Sequence, residues 1–170
     1  MINDIRRVIE NDRIILHKPN AQELKYRKKL NQSCYGVTKT PQQLEAWYKR
    51  FNNNLRNYYA YIVSKEDKRF VGEVSIHYSF ECEKYLVNIL VENQYRNRGF
   101  GYEALKLMVD YVFTVMNLDA IYEKVSIDQE YPKDIYKRVG FQRLDDDYIM
   151  MTKKQYNAIL KESRLKKDTV

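Results

Sequence analysis

The spacing of apolar positions changes period several times along the chain, and each change predicts an element. Residues 13–18, "RIILHK", are short, β-branched and closed by Pro19, which predicts a first strand. Residues 20–31 are densely charged and weakly amphipathic, and predict a helix. Thr40 suits a helix N-cap, Pro41 the first helical position, and Gln43 completes a capping box. Leu44, Trp47, Tyr48, Phe51 and Leu55 then recur at helical spacing. "NYYAYIVS" and "RFVGEVSIHYSF", joined by the charged turn "KEDK", predict a β-hairpin. "KYLVNILVE" is apolar nearly throughout, as expected of a central strand buried on both faces. A polar, Gly-containing stretch follows, and from about Tyr102 a helix carries Leu105, Met108, Val109, Val112, Val115 and Met116 on one stripe. "AIYEKVSID" predicts another strand. "YPKDIYKRV" predicts a short helix with Gly140 in its C-cap place. "GFQRLDD" and "YIMMT" predict closing strands, and a last helix runs from about Lys153.

The predicted order is β-α-α-β-β-β-α-β-α-β(-β)-α, with antiparallel hairpins first and βα units later. This is an α+β architecture with a mixed, mostly antiparallel sheet of six to seven strands flanked by helices. At 170 residues a single domain is expected, with residues 1–12 as an extension and 162–170 as a frayed tail. The 16 tyrosines are expected to bury their rings and keep their hydroxyls wet.

Charge narrows the partners. The net charge of +7 favours anionic ones, such as a phosphate-bearing small molecule, an acidic surface or nucleic acid. Cys34 and Cys82 lie far apart with no metal-ligand spacing, so no metal and no disulfide framework is expected. No signal-like run opens the chain and no 18-residue apolar stretch occurs, which fits a cytoplasmic protein without a membrane partner.

The stretch "QYRNRGFG" joins the central strand to the long helix. A helix start leaves unpaired N–H groups and positive potential, which together form an anion site. Gly99 and Gly101 permit unusual backbone angles and close approach of a ligand. Asn97 tolerates the left-handed region, and Arg96 and Arg98 add charge. These features predict a bound phosphate or pyrophosphate. The third glycine of a dinucleotide fingerprint is replaced by Ala104, and the Gly-Lys-Ser/Thr of a P-loop is absent, so dinucleotide redox chemistry and nucleotide hydrolysis are disfavoured.

Residues 96–101, "RNRGFG", resemble the acetyl-CoA signature Q/R-x-x-G-x-G/A of the GNAT superfamily of N-acetyltransferases. Residues 136–141, "YKRVGF", resemble that family's later Y-x-x-x-G-F segment, in the expected order. The resemblance covers residues 70–141 well, and the layout is similar to the branch acting on ribosomal-protein N-termini. It implies acetyl transfer from acetyl-CoA to a primary amine by direct attack, with no covalent acetyl-enzyme. The backbone of Arg96, Asn97, Arg98, Gly99, Phe100 and Gly101 would hold the pyrophosphate. Leu90 and Val91 would lie along the pantetheine arm, with the Val91 N–H polarising the thioester. Tyr136 would protonate the departing thiolate. Asn93, Asn97, Gln129 and Pro132 depart from the family's usual residues, and the loop after Ile127 is where the acceptor site is commonly bordered.

The resemblance leaves the general base open among Glu73, on the polar face of its strand, Glu92, at the end of the central strand, and Glu123, on its strand's apolar side. His17 and His77 read as ordinary strand residues. The acceptor is open among a peptide N-terminus, a polyamine, an amino sugar and an amino acid, and a homodimer is compatible with the sequence. A non-catalytic acyl-CoA sensor or scaffold is the main competing class. A nucleic-acid module is disfavoured because it gives the glycines between strand and helix no task.

Overall fold

The computed structural model describes residues 8–36, 39–125 and 133–167. The strands are β1 (Ile9–Glu10), β2 (Ile14–His17), β3 (Tyr58–Ser64), β4 (Arg69–Ser79), β5 (Lys84–Val91), β6 (Ala120–Lys124), β7 (Gln142–Arg143) and β8 (Tyr148–Thr152). The helices are α1 (Leu24–Tyr35), α2 (Pro41–Asn52), α3 (Phe100–Thr114), α4 (Lys133–Val139) and α5 (Lys153–Lys167). The strands form one sheet in the order β1-β2-β3-β4-β5-β6-β8-β7. Every pairing is antiparallel except β5 with β6. α3 is the crossover that this parallel pair requires.

The sheet has eight strands rather than six to seven. One of the additions comes from within the expected N-terminal extension: Ile9 and Glu10 pair with Leu16 and Ile15. Two residues carry too little periodicity to be read as a strand, and only the partner edge makes them one. α5 likewise continues through most of the stretch expected to fray. α1 is preceded by a 3-10 turn at Ala21–Glu23, where the Asn20 side chain and Glu23 form a reciprocal capping box. α2 starts as expected, with Thr40 and Gln43 capping each other. The expected strand residues 126–128, and Gln129 and Pro132, lie outside the described residues.

The two faces of the sheet bury different chemistry. On one face Val74 and Ile76 of β4 and Val87 and Ile89 of β5 meet α3, whose Leu105, Met108 and Val112 are fully buried. Phe113 of α3 stacks on Tyr156 of α5 at 5.2 Å, and the Tyr156 hydroxyl donates to Asp110. On the opposite face α1 and α2 cover an aromatic layer. Trp47 meets Tyr59 edge-on at 5.1 Å, and Tyr26 meets Tyr61 at 4.9 Å. Several tyrosine hydroxyls are not wet. Tyr59 donates to Glu73, Tyr61 to the Glu23 carbonyl and Tyr48 to the Pro19 carbonyl. A hydroxyl carried below a helix has lost its water and must find a protein partner.

Candidate active site at the end of the central strand

β5 delivers the chain to a tight polar loop. Asn93–Tyr95 form one 3-10 turn, and the backbone then takes positive φ at Asn97 (62°) and at Gly99 (86°) before α3 begins at Phe100. Gly99 is the N-cap of α3 and has no side chain to bond the first turn. The N–H groups of Phe100, Gly101 and Tyr102 therefore have no intrahelical acceptor, and the helix dipole adds positive potential at the same point. A cavity of about 530 Å³ opens there, lined by Val91, by Tyr95 to Asn97, by Gly99 to Tyr102 and by Ile135 and Arg138 of α4. A Cβ on Gly101 would stand 3.4 Å from Ile135 and 3.5 Å from Val91, ordinary contact distances, so the helix start lies against both cavity walls without requiring glycine there. These features fit a bound diphosphate.

The two arginines of the loop do different work. Arg96 lines the cavity, and its Nε donates to the Val91 carbonyl at 3.2 Å. Arg98, expected to add charge to the anion site, turns its guanidinium to Asp67, at 3.1 Å, and Glu66, on the β3–β4 turn. It also lies over the Phe100 ring at 5.0 Å. Its side chain braces the loop while its backbone remains part of it.

The register of β4 and β5 sorts the backbone groups beside the loop. Glu92 donates its N–H to the Val71 carbonyl, and Gly72 stands opposite Val91. Alternation of bonded pairs along an antiparallel ladder then turns the N–H groups of Val91 and Ile89 away from β4, toward β6. Leu90, expected to lend its backbone to the same arm, instead faces Glu73 across the ladder. Ile89, which no sequence pattern singles out, turns its N–H the same way as Val91. The register of β5 with β6 holds the single pair Leu86 with Tyr122, and β5 continues five residues beyond it. The far part of β5 thus presents its edge without a partner strand among the described residues.

Tyr136 stands on α4, which also walls the cavity through Asp134, Ile135 and Arg138. Its ring is buried and packs edge-on against Phe141 at 5.2 Å. Its hydroxyl hydrogen-bonds Glu123 of β6. Burial pushes the Glu123 carboxyl up to about 8, against the pull of that hydrogen bond. The half-buried carboxyl beside the buried tyrosine therefore holds its proton more readily than a free one.

The other two candidate bases have different surroundings. Glu73, on the α1/α2 face, is committed: Arg27 donates to one oxygen at 2.7 Å and Tyr59 to the other at 2.5 Å. Arg27 in turn lies over the Trp47 ring at 3.9 Å. Burial pushes the Glu73 carboxyl up, while Arg27 and Tyr59 pull it down. This is an anchor between α1 and β4. Glu92 lies on the same face at the tip of β5 and lines a second cavity of about 340 Å³. Gln94 donates to it at 3.0 Å and Lys29 stands at 3.8 Å. Tyr95 lines both cavities, so they flank the end of β5 on opposite sides.

Arg13 also belongs to the site, although its sequence context does not mark it. It reaches from the turn before β2 to donate to the Arg98 carbonyl at 2.7 Å, and its guanidinium occupies the space where a Cβ on Gly99 would point. Nothing in the sequence links residues so far apart. Among the described residues no group of three or more His, Cys, Asp or Glu is placed to hold a metal, and no helix is long and apolar enough to cross a membrane.

Comparison with known proteins bears on the fold and the family. The solved GNAT-family acetyltransferase from Bacillus anthracis superposes with a TM-score of 0.67 at 15% identity, over 87% of this chain and 99% of that one. Spermidine N-acetyltransferase from Vibrio cholerae, solved with CoA and spermine, superposes with a TM-score of 0.71 at 17% identity, over 86% and 99%. At such identities the likeness is one of fold. Spermidine N(1)-acetyltransferase of Escherichia coli (strain K12) is 30% identical over 93 residues, 49% of this chain and 50% of that protein. The chain thus matches about half the length of that curated relative. The sequence matches the Acetyltransferase (GNAT) domain over residues 5–142, and with that span and this fold the chain belongs to the GNAT acetyltransferase family.

Proposed function

We propose that this protein is an N-acetyltransferase that moves an acetyl group from acetyl-CoA to a primary amine within one ternary complex. One observation carries the reading: the uncapped start of α3 opens into a cavity whose other wall is the helix bearing Tyr136. The backbone of residues 96–101 binds the pyrophosphate, with Arg96 beside it. The N–H groups of Ile89 and Val91 align the pantetheine arm, and Val91 donates to the thioester oxygen as negative charge develops there. Glu92, at the second cavity, accepts a proton from the incoming amine. Tyr136, from the other side of β5, gives its proton to the sulfur as the C–S bond breaks. Glu123 holds the Tyr136 hydroxyl in place. One C–N bond forms, one C–S bond breaks, and one proton leaves the nitrogen while one reaches the sulfur. Cys34 lies in α1 and Cys82 in the β4–β5 turn, neither beside the loop, which favours direct attack over a covalent acetyl-enzyme.

The test is thiol release from acetyl-CoA against peptides, spermidine, aminoglycosides and amino acids. Tyr136→Phe and Glu92→Gln should each lower kcat on the order of 10²-fold, with the affinity for CoA unchanged. A chain that binds CoA but releases no thiol with any amine would be a non-catalytic sensor, and the catalytic roles of Glu92 and Tyr136 would fall.

A further inference from the structure

The second cavity, beside Glu92, has a charge pattern that selects among amines. Its floor is acidic and closed: Glu92 is 8% exposed, and the buried Tyr26 hydroxyl lies beside it. Burial raises the Tyr26 hydroxyl, and the Glu92 carboxylate beside it raises it further. The rim is cationic. Lys29, Lys68 and Arg69 all line the cavity. Lys25, one helical turn before Lys29, continues the positive row on α1, and no Asp or Glu lies anywhere in that helix. Acids offset part of this rim, since Lys29 stands 3.8 Å from Glu92 and Asp67 feels the charge of Arg69. Glu66 and Asp67 are also engaged by Arg98, however, and the cavity lining keeps three cations to one carboxylate.

We infer that this cavity receives the amino terminus of an acidic peptide, the terminal ammonium on Glu92 and Tyr26 and the following carboxylates on Lys29, Lys68 and Arg69. The inference rests on the acetyltransferase reading for the fate of the amine, but the charge argument concerns binding alone. A polyamine could place one ammonium on Glu92. Its remaining charges would then lie against three cations, and like charges at close range select against a ligand. A free amino acid would leave most of the positive row unmet. A volume of about 340 Å³ accommodates the first residues of a peptide, and the row along α1 continues beyond it.

Two measurements on the full chain separate this inference from the function it rests on. Calorimetric titration, with CoA present, compares the free-amine peptides Ser-Asp-Glu-Glu and Ser-Lys-Lys-Lys and spermidine. Thiol release then compares the same three as acceptors of acetyl-CoA. The acidic peptide should bind most tightly and give the highest kcat/KM. Reversing two rim charges in Lys29→Glu/Arg69→Glu, both on the surface and outside the fold's core, should weaken the acidic peptide about tenfold and favour spermidine. The affinity for CoA should not change. Acidic-peptide binding without thiol release from any acceptor supports the cavity's selectivity and removes the catalytic reading instead. Binding or turnover of spermidine or the basic peptide equal to or better than that of the acidic peptide overturns the inference.

Discussion

Two residues at the site are held in states that a free chain would avoid. Gly99 takes φ +86° with the Arg13 guanidinium filling the space beside it. Gly99→Ala should cost about 1–2 kcal/mol through the left-handed backbone alone. It should also raise the Kd for CoA several-fold, as read by calorimetry. Glu123 is the second case. Its ordinary value of 4.5 is raised to about 8 by burial, opposed by the Tyr136 hydrogen bond. Between those limits the folded protein holds a proton that the unfolded chain has released. Stability from this group is therefore complete below about pH 4.5 and is lost as pH rises through about 8. Glu123→Gln, neutral at every pH, should flatten this part of the melting profile. Its Tm relative to the parent should rise by a few degrees from pH 5 to pH 8, and a constant difference across that window would contradict the assignment.

At the scale of elements, α1 is fixed to β4 by charge as well as by packing. Arg27 and Glu73 meet at 2.7 Å, with side-chain exposures of 17% and 9%, beneath Trp47 of α2. A buried pair of this kind adds little over an apolar replacement, but losing one partner strands the other's charge. Arg27→Met should destabilise the fold by about 3–5 kcal/mol in urea melts, and Arg27→Met/Glu73→Gln should recover most of that loss. A cost under about 1 kcal/mol for the single change would mean that Glu73 readily takes up a proton or water. Such a Glu73 would return as a candidate base. The same element-level view would let Glu92 and Tyr136 serve the proposed reaction from two sides: β5 separates them, one facing α1 and the other on α4.

For the whole molecule, ligand binding and folding are linked. The loop that would grip the diphosphate is assembled from the turn before β2, the β3–β4 turn, the end of β5 and the start of α3. None of these pieces is formed in the unfolded chain, so CoA should bind the native state alone. At a concentration 100-fold above its Kd, CoA should stabilise the protein by about 2.7 kcal/mol. For a domain of this size the melting temperature should rise by about 5–10 °C. Failure of CoA to raise the melting temperature at millimolar concentration would remove the basis of the acyl-transfer reading.

The amino-acid sequence by itself determined the elements whose information is local. The capping box at Thr40, the apolar run of β5, the amphipathic stripe of α3 and the glycines at the helix start are each written within one or two turns of chain. The family resemblance rests on the same kind of contiguous residues. Tertiary structure decided what depends on partners distant in sequence: Ile9 and Glu10 as an edge strand, Arg98 as a brace, Arg13 behind Gly99. It also separated three glutamates that look alike in sequence, since a carboxylate's role follows from what surrounds it. Glu73 meets Arg27 across 46 residues, Glu123 meets Tyr136, and Glu92 opens into a cation-rimmed cavity. Pairing register and burial are properties of the assembled sheet, and no local pattern encodes them.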